Sequence, residues 1–300
     1  MARKPMKERY EEYMARREIA MQSPMGAFQD YKRYMPPFHI WGNLHYVGDK
    51  WCSIYIVDTG DGLLMLDTGM PAGSIPMLLQ TIWEAGFNPR NIKWLILDHG
   101  HIDHIGAANF MRNMFGTKLI ISADEAKMFR KRPWLSCIQD SSDIADCVFV
   151  PDIEVQDGQT VHFGNTPVTF IMTPGHTPGA MAMLFPVTDG KEIKTAGFFG
   201  AHGLNTITTE QLLEIGDAEF KTRQIFLDSI KKIRNLDVEI FASGHTGMNQ
   251  ILSKLEQWKI DPEVNPFVNK ENWTKFCDAK IEEIELFIQD PTRKFRYGQG

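Results

Sequence analysis

A chain of 300 residues is long enough to bury a substantial core, as one large domain or two small ones. Its 43% hydrophobic and 23% charged residues are ordinary for a globular protein. A net charge of −6 without any basic block gives no footing for nucleic acid or an anionic membrane, and no run approaches the ~18 apolar residues of a membrane span.

The first 22 residues are dense in Lys, Arg and Glu and lack an apolar h-region, so the protein is expected to stay in the cytoplasm. Within residues 7–23, Tyr10, Tyr13, Met14 and Ile19 alternate with charges in an amphipathic helical pattern. We expect an N-terminal helical extension over residues 1–36, packed on the body or on a second copy in a homodimer. Pro36-Pro37 ends it, and residues 37–300 form the main domain, including helices at its C-terminal end. Short strands follow at 38–41, 44–47 and 53–57. Thr59-Gly60-Asp61-Gly62 is a turn that pairs residues 54–58 with 63–66 as a hairpin, closed by Asp67-Thr68-Gly69. Residues 74–85 have helical periodicity with Gly86 at their end. A buried strand at 92–97, a helix starting at Gly106 and a strand at 118–121 come next. Ser122 is placed to cap a helix over 123–132, with Glu125 at the capping-box position. Residues 133–146 read as a polar loop or lid. Strands return across 148–172, 181–185 and 193–199, then a long helix over 210–233, a strand at 239–242 and helices at 250–258 and 271–288. Periodicity alone leaves α/β and α+β both open.

Chemistry concentrates in His99-Gly100-His101-Ile102-Asp103-His104, which holds three of the nine histidines. Imidazoles and a carboxylate suit a borderline divalent metal such as zinc. On a helix His99 and His101 would face apart, whereas at a strand end they point the same way and Asp103 continues that side. His104 then falls on the opposite face unless the chain turns. As a loop, the segment suits two adjacent metals better than one. Two further histidines follow strands in tight Pro- and Gly-rich loops: His176 in Thr173-Pro174-Gly175-His176-Thr177-Pro178-Gly179 and His245 in Ser243-Gly244-His245-Thr246-Gly247. Alone, a histidine in such a turn is more often a surface residue. Beside the hexapeptide and in this order, both become candidate ligands. Cys52, Cys137, Cys147 and Cys277 include no C-x-x-C pair and read as reduced thiols, with little support for a Cys137–Cys147 disulfide.

The hexapeptide resembles the H-x-H-x-D-H signature of the metallo-β-lactamase-fold hydrolases. That resemblance covers about residues 37–248 and implies an α+β protein, an αββα sandwich. It implies two zinc ions, the first on His99, His101 and His176, the second on Asp103, His104 and His245. Three protein ligands each leave an open position, as catalytic zinc requires. Shared water would then become hydroxide near neutral pH, with Asp103 orienting it or shuttling its proton. Asp67 matches the family's early Asp, an acceptor that orients a ligand imidazole. Its plainer reading is a turn aspartate before Gly69.

Many members carry an Asp that bridges both metals between the third and last histidines. Here the strand at 193–199 runs into Gly200-Ala201-His202-Gly203 with no carboxylate, and Asp189 is poorly placed. This puts the glyoxalase-type, nuclease and phosphodiesterase branches in doubt. The pattern resembles the zinc β-lactamase subclass whose metals are held only by His and Asp. His202, nearest the vacant position, is a candidate contact to substrate, hydroxide or metal, or simply a loop histidine. Flavodiiron reductases place Glu where His101 stands, so imidazole there favours hydrolysis over redox chemistry. The resemblance therefore implies a dinuclear-zinc hydrolase of a small carbonyl substrate: a lactone, ester, thioester or cyclic amide. A β-lactamase and a non-catalytic binding or oligomerisation module are the alternatives.

Overall fold

The computed structural model describes residues 4–22, 32–71, 73–136 and 147–292. Helix α1 spans Met6–Gln22 and leaves Met6, Tyr10 and Met14 exposed. Strands β1 (Phe38–Trp41), β2 (Leu44–Tyr46), β3 (Tyr55–Asp58) and β4 (Leu63–Leu66) pair antiparallel in sequence order. Then α2 (Ser74–Glu84) leads to β5 (Ile92–Ile96), and α3 (Ile102–Ile105) and α4 (Ala108–Phe115) lead to β6 (Lys118–Ser122). After α5 (Ala123–Lys131) comes β7 (Ile153–Val155), and β4 to β7 run parallel. These strands form one sheet in the order β1 to β7. A second sheet has the order β12-β11-β10-β9-β8, from β8 (Thr160–Phe163), β9 (Thr166–Met172), β10 (Met181–Thr188), β11 (Ile193–Phe199) and β12 (Ile240–Ser243). Helices α6 (Thr209–Ile215) and α7 (Lys221–Arg234) precede β12, and α8 (Ile251–Ile260) and α9 (Glu271–Gln289) follow it.

Side-chain alternation sorts the residues into layers. In β4 all four residues are buried, because both faces of the sheet are covered. Leu64 and Leu66 join Tyr55, Val57, Ile96 and Ile120 against Phe170, Met183, Phe185 and Phe198 of the second sheet. Leu63 and Met65 turn the other way, to Leu78 and Ile82 of α2, Met111 of α4 and Phe129 of α5. Across the second sheet, Ala182, Phe199 and Phe241 meet Phe226 and Ile230 of α7 and Trp273, Ile284 and Phe287 of α9. Helices thus cover both outer faces of two packed sheets, the αββα sandwich that the hexapeptide implied. No helix among the described residues is long and apolar enough to cross a membrane.

Several local expectations need correction. Residues 210–233 are not one helix. Gly216 (φ 88°) closes α6 in the left-handed region, and the Asp217 carboxylate accepts the Lys221 and Thr222 N–H groups at the start of α7. Residues 99–104 are not wholly loop, since α3 begins at Ile102, and the helix expected from Gly106 begins at Ala108. Ser122 does cap α5, its Oγ accepting the Glu125 N–H at 3.1 Å. Glu125 does not complete a capping box; its Oε1 accepts the Gly179 N–H at 2.7 Å instead. Residues 137–146 of the anticipated lid, and with them any Cys137 pairing, lie outside the described residues.

Candidate metal centre

Every candidate ligand follows the C-terminal end of a strand. His99 and His101 follow β5, His176 follows β9, His202 follows β11 and His245 follows β12. The two sheets bring these ends to one edge of the sandwich, where the Met181 N–H donates to the Asp98 carbonyl at 3.0 Å. The loops approach closely. A Cβ on Gly200 would stand 2.6 Å from Asp98 Oδ2 and 3.1 Å from the His104 ring, so only glycine lets that loop pass.

His99, His101 and His176 present ring nitrogens within 4.8 Å of one another. His104 reaches the same edge through α3: His101 is the residue before the first turn, and that turn swings Asp103 and His104 inward. His104 Nε2 lies 3.1 Å from His245 Nε2, and Asp103 Oδ2 lies 3.7 and 3.5 Å from those two atoms. The structure therefore gathers all six residues expected as metal ligands. His202 stands next to His245, their ring centroids 5.2 Å apart. Asp189 is remote; it closes the exposed turn between β10 and β11, where its carboxylate accepts the Lys191 and Glu192 N–H groups.

Hydrogen bonds decide which nitrogens are bare. His99 Nδ1–H donates to Asp98 Oδ1 at 2.7 Å, His104 Nδ1–H to Asp67 Oδ2 at 2.6 Å and His176 Nδ1–H to the Gly203 carbonyl at 2.7 Å. His245 Nδ1–H faces the Trp51 carbonyl at 3.3 Å. Each bond assigns the ring proton to Nδ1 and leaves the Nε2 lone pair pointing inward. Asp67 makes its bond from a left-handed backbone (φ 58°), and its Oδ1 also accepts the Asp98 N–H.

This donor set fits metal ions. Burial holds His99 and His101 well below the usual imidazole range, His176 at about 4 and His245 at about 3, so all four are neutral and ready to donate. His104 differs. Burial lowers it, but the carboxylates of Asp103, Asp67 and Asp98 outweigh that and lift it to about 10. Two facing Nε2 atoms cannot both accept, so a cation must sit between them. In the metal-free protein that is a proton, and a metal can replace it. Asp103 Oδ1 is buried with no hydrogen-bond partner, a second sign that the protein alone does not satisfy the cluster.

Two contributors went unread in the sequence. Asp98, pushed well above the carboxylate range by burial and by Asp67, orients His99. Its position beside the hexapeptide was a signal. Cys52 places its Sγ within 4.8 Å of donor atoms on Asp103 and His245, and nothing in its local sequence announces that.

Residues 48–189 match the family model of the metallo-β-lactamase superfamily. The subclass B3 metallo-β-lactamase BJP-1 of Bradyrhizobium japonicum superposes with a TM-score of 0.76, over 89% of this chain and 98% of that one. At 24% identity that likeness is one of fold. Residues 48–189, a little under half of the chain, thus resemble the metallo-β-lactamase superfamily. Among curated relatives, an N-acyl homoserine lactonase of Bacillus cereus is 25% identical over 158 residues, 45% of this chain and 57% of the relative. A hydroxyacylglutathione hydrolase of Haemophilus influenzae is 31% identical over 116 residues, 38% of this chain and 52% of the relative. The chain thus spans little more than half the length of these relatives.

Proposed function

We propose that the protein is a dinuclear-metal hydrolase, with zinc as the metal, acting on a small carbonyl substrate such as a lactone, ester, thioester or cyclic amide. The observation that carries this reading is the convergence of ring nitrogens from His99, His101, His176, His104 and His245 on one strand-end edge, with Asp103 beside His104 and His245. His99, His101 and His176 hold one ion; Asp103, His104 and His245 hold the other. When bound, such a pair supplies Lewis acidity toward the carbonyl and an activated nucleophile near neutral pH.

The chain's own residues do the rest. Asp67 and Asp98 keep His104 and His99 in the tautomer that can ligate. Asp103 accepts and returns a proton at Oδ1, the oxygen that no protein group occupies. His202, its Nδ1–H anchored to the Gly200 carbonyl at 3.0 Å, faces the substrate from beside His245. The N-acyl homoserine lactonase and hydroxyacylglutathione hydrolase relatives support carbonyl hydrolysis as the chemistry.

β-Lactam hydrolysis is the second reading, favoured by the likeness to subclass B3 structures and by the absence of a carboxylate in Gly200-Ala201-His202-Gly203. A panel of lactones, thioesters and a chromogenic cephalosporin, run on zinc-loaded protein, separates the two. We expect about two equivalents of zinc and turnover of the lactone or thioester arm. Folded protein that takes up no metal after zinc supplementation would overturn the proposal and leave a non-catalytic module.

A further inference from the structure

We propose that Cys52 is a thiolate ligand of the second metal position, beside Asp103, His104 and His245. This rests on the dinuclear reading above. The argument begins at the turn before β3. Asp49 Oδ1 accepts the N–H groups of Trp51 and Cys52, both at 2.7 Å, while its Oδ2 accepts Arg33 Nε–H at 2.9 Å. That fixes where residue 52 enters. The segment then pairs antiparallel with the loop after β12. Ser53 N–H donates to the Gly244 carbonyl at 2.9 Å, Thr246 N–H donates to the Trp51 carbonyl at 3.1 Å, and Cys52 stands directly opposite His245.

Directly opposed residues of an antiparallel pair project their side chains to the same side. Cys52 therefore points where the His245 imidazole points. Its Sγ, a ring nitrogen of His245 and a carboxylate oxygen of Asp103 all lie within 4.8 Å of one another. Cys52 is 2% exposed and Asp103 5%, and Asp103 Oδ1 has no hydrogen-bond partner. A cysteine serving only as core packing gives no account of a sulfur held among the donor atoms of a carboxylate that is itself incompletely satisfied. A shared cation accounts for both.

The exchange on binding is simple. The Sγ–H bond breaks, its proton passes to solvent, and a sulfur–metal bond forms with no change in oxidation state. Four protein donors then surround the second position, while three surround the first. A soft thiolate steers the second position toward zinc or cobalt and away from manganese or magnesium. The open coordination position falls to the ion held by His99, His101 and His176.

Cobalt(II) titration of the full-length, metal-free protein tests this by absorption spectroscopy. We expect about two equivalents to bind, with a thiolate-to-cobalt charge-transfer band in the near ultraviolet. Cys52→Ser should abolish that band and weaken one equivalent by about tenfold or more. Cys137→Ser, Cys147→Ser and Cys277→Ser should keep it. X-ray absorption of the zinc-loaded wild type, which needs no variant to fold, should show sulfur at about 2.3 Å. Two bound equivalents with no sulfur signal, or a band that survives Cys52→Ser, would overturn the assignment and leave the dinuclear reading intact. No bound cobalt would overturn both.

Discussion

On the proposed reading Asp103 has two tasks, metal ligation and proton transfer. It stands between the Nε2 atoms of His104 and His245 through Oδ2 and leaves Oδ1 unsatisfied. Asp103→Ala should therefore lower occupancy of the second metal and slow hydrolysis by a further roughly 10²–10⁴-fold beyond metal loss. His202→Ala should keep both metals and change KM or kcat in a substrate-dependent way, since His202 is held from behind by Gly200. Metal stoichiometry and kinetics on both variants check this. If His202→Ala sheds a metal while Asp103→Ala keeps two, the ligand assignment falls. Glu125 lies behind the loop that carries His99 and His101, against Gly100. Its carboxyl lies between the Gly100 loop and Gly179, and burial raises it from 4.5 to about 7. The folded state thus binds this proton more tightly than the unfolded one. The resulting stability is complete below about pH 4.5 and lost as pH rises through 7. Melting of metal-free wild type against Glu125→Gln should show the wild type losing ground between those values and a constant gap above them.

The turn carrying Trp51 and Cys52 shows how an element reaches the site through a buried ion pair. Arg33 and Asp49 have side chains only 10% and 6% exposed, and Arg33 also donates to Ser74 Oγ at the start of α2. Removing Asp49 takes away a buried counter-charge and the acceptor of the Trp51 and Cys52 N–H groups, so Asp49→Ala should cost about 3–5 kcal/mol in urea unfolding. A loss under about 1 kcal/mol would mean that the turn is held by other contacts. Between α6 and α7 the helical pattern runs on without an apolar gap, which is why periodicity joined them. Gly216 and Asp217 were the break signals, and the caps they make outweigh the pattern. The α5 cap shows the reverse. Ser122 was legible as a local signal, whereas Glu125 is drawn off its local partner by a loop more than fifty residues away.

At the scale of the whole molecule, the site exists only where two sheets meet, so metal binding and folding should be linked. Zinc at about 100 times its dissociation constant should add about 2.7 kcal/mol per site, and a chelator should lower Tm accordingly. A Tm indifferent to chelation in protein shown to hold zinc would contradict that linkage. The succession of strands and helices along the chain, the hairpin at Thr59–Gly62, and the apolar runs that fill the sandwich could be read from residues near one another in the chain. So could the hexapeptide and the two later histidine loops, because their ligand chemistry and their Gly and Pro neighbours are local. Tertiary structure alone decided the rest. Only the packing of β5 beside β4 sets Asp67 against His104, and only the parallel pairing of β11 with β12 brings His202 to His245. Cys52 and His245 are 193 positions apart and meet through a single bridge. No local pattern encodes such a meeting, since it depends on how two sheets close around a core that most of the chain builds.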